Sequence, residues 1–293
     1  MIIQSVIKKY QQELESLDLE LLLAAAIARS REFVLAHPEY ELSRKDYGKF
    51  ARFAARRMEH KPIAYILGHK EFYGSDFKVN RHTLIPRPET EMMVEMALER
   101  IKGDKHESMS VIDVGTGSGN IAISIARGIK DSELLKEKTS LFAVDISEEA
   151  LRVAKHNAKK NDVDKKIKFI KSDLLNEFIQ NSKFKIPNSI IVANLPYLSK
   201  EIYSATMPDV KIFEPKSALY SARSGLSHYE RLLEQIRKIN GRKNGSISCA
   251  ILEISPEQKQ KLLEIIKEIL PGVKTGFRKD LSGRWRMCVI DII

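Results

Sequence analysis

Apolar and charged residues are interleaved at helical spacing through residues 1–70. SVIKKYQQELESLDLELLLAAAIAR (residues 5–29) and SRKDYGKFARFAARRMEH (residues 43–60) repeat apolar positions at that spacing, and HPEYEL (residues 37–42) interrupts them. Ser43 and Asp46 are spaced as an N-terminal capping pair. Tyr47, Phe50, Ala51, Ala54 and Met58 then share one helix face. Lys49, Arg52, Arg56 and Arg57 lie largely elsewhere, forming a basic face that is either solvated or a docking surface for an acidic partner. From residue 71 the texture changes. EFYGSDFKVNRHTLIPRPETE (residues 71–91) has short β-like pieces broken by Gly, Asn and Pro and reads as a hairpin linker. TEMMVEMALERI (residues 90–101) resumes a helix.

Beyond residue 110, strand and helix signals alternate. SVIDVG, LFAVDI, IKFIKS, SIIVAN and SCAILEIS are apolar runs suited to buried strands. SEEALRVAKHNAKKN and PEQKQKLLEIIKEIL are helical stretches between or after them. Such alternation predicts a mostly parallel sheet covered on both faces. TGFRKDL and RWRMCVIDI are separated only by Ser282-Gly283. They must pair antiparallel, because a parallel crossover needs about a dozen residues. KDSELLKEKTS (residues 130–140) reads as a charged loop.

The totals narrow the class. The 293 residues suffice for one large or two ordinary domains, and 43% hydrophobic with 30% charged residues suits a chain with a sizeable core. The formal net charge of +10 favours acidic partners such as RNA or a ribonucleoprotein without requiring one. Cys249 and Cys288 sit in apolar runs and read as inert buried thiols, and no Cys/His cluster has metal-ligand spacing. The longest apolar run, LLLAAAIA (residues 21–28), falls short of the ~20 residues that span a bilayer. The start MIIQSVIKKYQQE lacks a signal-peptide apolar region, so the expected compartment is the cytoplasm.

VIDVGTGSGNIAISIA (residues 111–126) carries the first chemical signal. A strand runs into Gly115, Thr116, Gly117, Ser118 and Gly119, and a helix follows. Glycines allow the tight turn and let backbone approach a ligand. Asp145 ends the next strand. In a doubly wound sheet this places a carboxylate beside the glycine turn, where it can accept hydrogen bonds from ribose hydroxyls. Turn and acid fit NAD and S-adenosylmethionine alike.

VANLPYLSK (residues 192–200) carries the second. Ligands of open α/β sheets sit beyond the carboxyl ends of strands, so Asn194 should face the ligand. An amide or exocyclic amine nitrogen is a poor nucleophile because its lone pair is delocalised. A site can accept both of its N–H hydrogens, one on the Asn194 side-chain oxygen and one on the Leu195 carbonyl. Pro196 pushes Leu195 toward extended geometry, which aims that carbonyl. Tyr197 can stack on or wall in a planar group. Acceleration then comes from positioning and electrostatics, and the proton can leave to water after transfer.

These segments carry a resemblance. DVGTGSGNIAI resembles motif I of Rossmann-like methyltransferases, and the antiparallel C-terminal hairpin resembles the seventh-strand feature of that superfamily. The tetrapeptide resembles the Asn/Asp-Pro-Pro-Tyr motif of enzymes that methylate planar nitrogens. PIAYILGHKEFYG (62–74), LIPRPETE (84–91), the NLPY tetrapeptide and FEPKSALYSARSGLSHYERLLEQ (213–235) follow the order of the release-factor glutamine methyltransferases, the HemK/PrmC family. The resemblance covers most of the chain. It implies an α/β, Rossmann-like seven-stranded S-adenosylmethionine-dependent methyltransferase domain, preceded by a small all-helical N-terminal domain and β-hairpin linker. The boundaries expected are 1–70, 71–90 and 91–293.

The implied reaction is methyl transfer from S-adenosylmethionine, leaving S-adenosylhomocysteine. The acceptor is the side-chain amide of the glutamine in the Gly-Gly-Gln loop of class I peptide chain release factors. Gly115 to Gly119, Asp145, Asp173, Leu174 and Asn194 are the implied cofactor residues, with Asp173 at the exocyclic amine and Leu174 on the adenine ring. Asn194, Leu195, Pro196 and Tyr197 are the implied catalytic and substrate residues, joined by Arg87 and Glu89 near the site. The helical domain helps hold the release factor. No metal, membrane or obligatory nucleic acid is implied. One position departs: the family usually has Pro where this chain has Leu195, and NLPY is more typical of rRNA adenine dimethyltransferases. RNA or DNA amino-methylation, of the adenine N6 type, is therefore the alternative. Glu214 and Glu253 read as a loop start and a strand end outside the chemistry, and Trp285 as packing.

Overall fold

The computed structural model describes residues 1–130, 132–181, 183–184, 186–242 and 245–292. Two units cluster separately: Met1–His69 with Met207–Phe213, and Lys70–Thr206 with Glu214 onward. The segment Met207–Phe213 thus groups with the helices, although the sequence places it inside the catalytic domain.

In the first unit the helical spacing becomes the helices Ile3–Tyr10, Ser16–Ile27, Arg31–Ala36, Arg44–Met58 and Ile63–Leu67. Their apolar faces bury Ile3, Val6, Leu19, Leu22, Leu23, Phe50 and Ala54 together. Ser43 caps the fourth helix: its hydroxyl accepts from the Asp46 N–H at 3.1 Å and donates to the Asp46 carboxylate at 2.7 Å, the pairing expected from the spacing. Of the helix face expected to be apolar, Phe50 and Ala54 are buried, while Met58 is exposed. Arg57, expected on a free basic face, instead pairs with Asp18 at 2.5 Å.

The second unit begins one residue into the strand β1 (His69–Phe72), which pairs with β2 (Ser75–Lys78) in a two-stranded sheet turned by Tyr73-Gly74. Both turn residues have positive φ, as a two-residue hairpin demands. The main sheet holds β3 (Met109–Val114), β4 (Thr139–Asp145), β5 (Ile167–Lys171), β6 (Ile186–Ala193), β7 (Gly245–Glu253), β8 (Lys274–Lys279) and β9 (Trp285–Asp291). Their order is β5-β4-β3-β6-β7-β9-β8. β3 to β7 run parallel, and β9 is antiparallel to both β7 and β8. This is the Rossmann-like arrangement with its antiparallel end.

The apolar runs of β3, β4, β6 and β7 are buried, whereas IKFIKS, expected to be a buried strand, forms the edge strand β5, in which only Ile167 is fully buried. Within β3, Met109 and Val111 join one core, while Ile112 and Val114 join the other. That double burial explains why these strands lack polar alternation. Val114 lies level with Val144 on one side and Ala193 on the other. The register therefore brings Gly115, Asp145 and Asn194 to one edge. One expectation is corrected: residues 130–140 are not a loop throughout. Ser132 caps a helix, Glu133–Lys138, and β4 starts at Thr139. Six charged-rich residues are too short to show a period, so the cap was the only usable sign; Asp131 lies outside the described residues. Cys249 and Cys288 are buried, which pushes their thiols up to about 11 and about 12.

Candidate functional site

The glycine turn is folded tightly onto β4. The N–H groups of Gly115 and Thr116 both donate to the Val144 carbonyl, at 2.8 and 2.9 Å. Gly119 is required by packing: at φ +82° its Cβ would come within 2.8 Å of Ile123 Cδ1 and 3.1 Å of Ala154 Cβ. The following helix can therefore press against Glu148–Lys160 only without a side chain there. Asp113, buried at the end of β3, braces the turn by accepting from the Thr116 hydroxyl at 2.6 Å and the Ala122 N–H at 3.1 Å. Burial pushes its carboxyl up to about 7, against the pull of those two donors.

Asp145 stands at the carboxyl end of β4. One oxygen accepts from the Gly117 N–H and the other from the Ser147 N–H, each at 2.9 Å. Burial raises its pKa and these N–H groups oppose the rise. A carboxylate has about four acceptor positions, so two such bonds leave capacity for a ligand. Beside it, Ile146 is 62% exposed, an apolar side chain held open.

Both border a cavity of about 280 Å³, near the lower limit for small-molecule sites. Its walls include Gly115, Thr116, Gly117, Ser118, Asp173, Leu174, Asn194, Leu195, Pro196 and Arg87. Gly119, Glu89 and Tyr197 are not among the lining residues, and Glu89 is exposed. Asp173 is paired with Arg231, a partnership absent from the sequence reading. His228 and Arg231 come from the helix Ser227–Asn240. Burial and the neighbouring Arg231 lower the His228 pKa.

Asn194 follows β6, its amide nitrogen donating to Thr90 Oγ1 at 3.2 Å. The Thr90 hydroxyl donates to Glu253 Oε2 at 2.6 Å. The Tyr197 hydroxyl points at the other Glu253 oxygen, 3.5 Å away. Burial pushes the Glu253 carboxyl up to about 7, against its hydrogen bond from Thr90 and the charge of Arg286. The Tyr197 phenol is raised by burial and by Glu253. Its backbone carbonyl accepts from Gln258 Nε2 at 2.8 Å. Leu195 is 3% exposed and packs toward Gly115. Arg87 pairs with buried Glu214, which also accepts from the Ile85 N–H at 3.0 Å.

The sequence reading missed Thr90, Ile146, His228 and Arg231 and set aside Glu214 and Glu253. Glu253 is corrected from a plain strand end to a buried partner of the Asn194 network. Glu214 is corrected from a plain loop start to the anchor of Arg87. The usable sign for Glu253 was its position: an acid at the carboxyl end of a strand neighbouring that of Asn194.

Comparisons with known proteins agree with this architecture. Residues 3–68 match the family model described as the PrmC N-terminal domain, and residues 105–269 match a methyltransferase domain. A release factor glutamine methyltransferase of Clostridium botulinum is 33% identical over 287 residues, covering 96% of this chain and 94% of its own. One from Bacillus subtilis is 35% identical, covering 91% and 88%. Among solved structures, the hMettl16 catalytic domain in complex with the MAT2A 3'UTR hairpin 1 aligns with a TM-score of 0.57 at 14% identity, over 82% of this chain and 81% of that one. That likeness is one of fold.

Proposed function

Because this chain belongs to the release factor glutamine methyltransferase family, we propose that it transfers a methyl group from S-adenosylmethionine to the glutamine side-chain amide in the Gly-Gly-Gln motif of class I peptide chain release factors. The observation that carries this reading is the Asn194 amide, held by its nitrogen on Thr90 at the rim of the cavity that Asp145 and the glycine turn also line.

The residues fit the cofactor. Asp145 has acceptor capacity left for ribose hydroxyls, and exposed Ile146 offers an apolar surface to the adenine. Gly115 to Ser118 bring backbone to the cavity, and Gly119 allows the close helix packing behind them. Asp173 and Leu174 border the adenine end, with Arg231 neutralising Asp173. S-adenosylmethionine, when bound, supplies an electrophilic methyl group on a sulfonium.

The chain's own residues do the rest. Asn194 Oδ1 accepts one N–H of the glutamine amide, and the Leu195 carbonyl accepts the other. Both acceptors favour loss of planarity at nitrogen and hold it in line for transfer. The proton leaves to water afterwards, and no side-chain base is needed. Tyr197 is turned to Glu253, so its part is to brace this wall rather than to stack on the substrate. Arg87, anchored by Glu214, borders the acceptor side. We assign residues 1–70 to holding the release factor, 71–90 to the linker and 91–293 to catalysis, in the cytoplasm where termination takes place. Among the described residues no helix is long and apolar enough to cross a membrane.

The test is methyl transfer from labelled S-adenosylmethionine to purified release factor. Label should enter the protein and vanish with Gln→Ala in the Gly-Gly-Gln loop or with Asn194→Ala here. Label entering ribosomal RNA instead would overturn the reading in favour of an amino-methyltransferase of nucleic acid.

A further inference from the structure

Glu253 is 1% exposed, and among the described residues no ion pair joins it to a cation. Buried carboxylates without a cation in direct contact are rare, because a neutral side chain could pack there at less cost. Its contacts explain what a charge supplies. An ionised carboxylate accepts hydrogen bonds and donates none. The 2.6 Å contact with Thr90 Oγ1 has the length of an O–H···O⁻ bond. Thr90 has one hydroxyl hydrogen, and this contact uses it. Its oxygen can then only accept from Asn194. The Asn194 group facing Thr90 must therefore be the NH2, at 3.2 Å. The opposite end of that amide, Oδ1, is left for the substrate.

Resting on the glutamine reading above, we propose that Thr90 and Glu253 are positioning residues that fix the direction of the Asn194 amide, so that an acceptor rather than a donor meets the substrate nitrogen. With the amide reversed, its NH2 would oppose the substrate NH2, donor against donor. The carboxylate sets the direction, Thr90 carries it one bond further, and Asn194 delivers it. Two further contacts hold the relay. The Tyr197 hydroxyl faces the second Glu253 oxygen at 3.5 Å. The Glu253 carbonyl accepts from the Tyr229 hydroxyl, and the Leu195 N–H hydrogen-bonds that same hydroxyl. The end of β7 is thereby tied to the catalytic tetrapeptide at both backbone and side chain.

Glu253→Gln keeps the shape but can donate to Thr90, whose hydrogen is then free to turn to Asn194 and reverse the amide. Thr90→Val keeps the volume and cuts the relay, while Thr90→Ser preserves it. The experiment measures kcat and KM for release factor in the full-length enzyme, with S-adenosylmethionine affinity by calorimetry and the melting temperature of each variant. Glu253→Gln and Thr90→Val should each lower kcat by about 10–100-fold, less than the roughly 100–1000-fold for losing a preorganised contact to the reacting group itself, because Asn194 and the Leu195 carbonyl remain. Cofactor affinity should stay within about threefold of wild type, and Thr90→Ser should restore most of kcat. In the Thr90→Val background, Glu253→Gln should add almost nothing, because members of one relay are non-additive.

Effects that multiply, or a Glu253→Gln enzyme with wild-type kcat, would overturn the proposal alone. A parallel loss of cofactor affinity in every variant would also overturn it, in favour of general structural support. A wild-type enzyme that methylates no release factor would bring down the functional reading and this one with it. Should Glu253→Gln fail to fold, Thr90→Val against Thr90→Ser decides the matter.

Discussion

Gly225→Ala is the substitution whose consequence the structure defines most sharply. Gly225 has φ +84°, and a Cβ there would lie 2.0 Å from the Tyr197 carbonyl oxygen and 2.4 Å from Gln258 Nε2. A carbon and a carbonyl oxygen approach to about 3.3 Å. The tetrapeptide's last carbonyl must then move by about 1 Å or more. It cannot move freely, because Gln258 Nε2 donates to it at 2.8 Å and the next residue, Leu198, is held on both sides by Leu219 and Ser221. The left-handed backbone alone costs an alanine roughly 1 kcal/mol. Gly272→Ala isolates that part, since Gly272 has φ +86° and nothing within 4 Å of its Cβ position. Overpacking adds about 1–3 kcal/mol at Gly225, and losing the Gln258 bond about 1 kcal/mol more. Gly225→Ala should therefore be less stable than Gly272→Ala by about 2–4 kcal/mol, and melt roughly 10 °C lower. A displacement near 1 Å three residues from Asn194 should cost on the order of 100-fold in kcat. Thermal unfolding and methyl transfer at a temperature where both variants are folded are the assays. If Gly225→Ala melts and turns over like Gly272→Ala, the clamp on the tetrapeptide is not what holds it.

Asp145→Asn replaces an acceptor oxygen by a donor facing either Gly117 N–H or Ser147 N–H, so S-adenosylmethionine affinity should fall at least tenfold by calorimetry, about 1.4 kcal/mol. Turnover at saturating substrates should fall as pH drops below about 7, where buried Glu253 takes up a proton and can donate to Thr90. Burial sets that raised value, with Glu89 adding to it and Thr90, Arg286 and Tyr197 opposing it, and Thr90→Val should flatten this limb of the pH–kcat profile. Stability has the opposite sign. Asp113 and Glu253 hold protons in the folded state up to about 7, whereas unfolded carboxyls release them near 4. The folded chain binds more protons in that window, so these groups lower stability as pH rises through it. The urea midpoint of wild type should fall more between pH 5 and 8 than that of Asp113→Asn, measured at both pH values; equal falls would refute the assignment.

What was legible in the sequence was what the sheet makes local. β3, β4, β6 and β7 read as apolar runs because both faces are buried, and an uninterrupted run is the pattern that burial leaves. The Gly115 turn and Asp145 were legible because a strand end and the turn after it are contiguous. The hairpin of β8 and β9 followed from a linker too short for a crossover. The Asn194 relay was not legible, because Thr90 and Glu253 lie 163 residues apart: the β6–β7 pairing sets Asn194 beside Glu253, and the packing of the helix Glu91–Gly103 on β7 brings Thr90 to them. The helix Glu133–Lys138 was lost for the opposite reason: it is too short and too charged for a period to stand out.

Leu195 is the position where sequence pattern and geometry pull apart, and the geometry weighs more. In the pattern, Leu for Pro draws the tetrapeptide toward enzymes that methylate adenine. In the fold, the side chain is buried in the core on that face of the sheet, and its Cδ2 would lie 3.0 Å from a Cβ on Gly115. It therefore fills the space between the glycine turn and the tetrapeptide, and that space exists because Gly115 has no side chain. A residue engaged in that packing cannot also read the substrate with its side chain. What Leu195 offers the acceptor is backbone, which Pro at the same position would offer equally. The choice between glutamine and adenine then falls to the walls beyond Asn194, including Arg87 on its Glu214 anchor, and to the surface that holds the partner. Release factor glutamine methyltransferases of Clostridium botulinum and Bacillus subtilis match this chain over more than nine-tenths of its length, helical unit included.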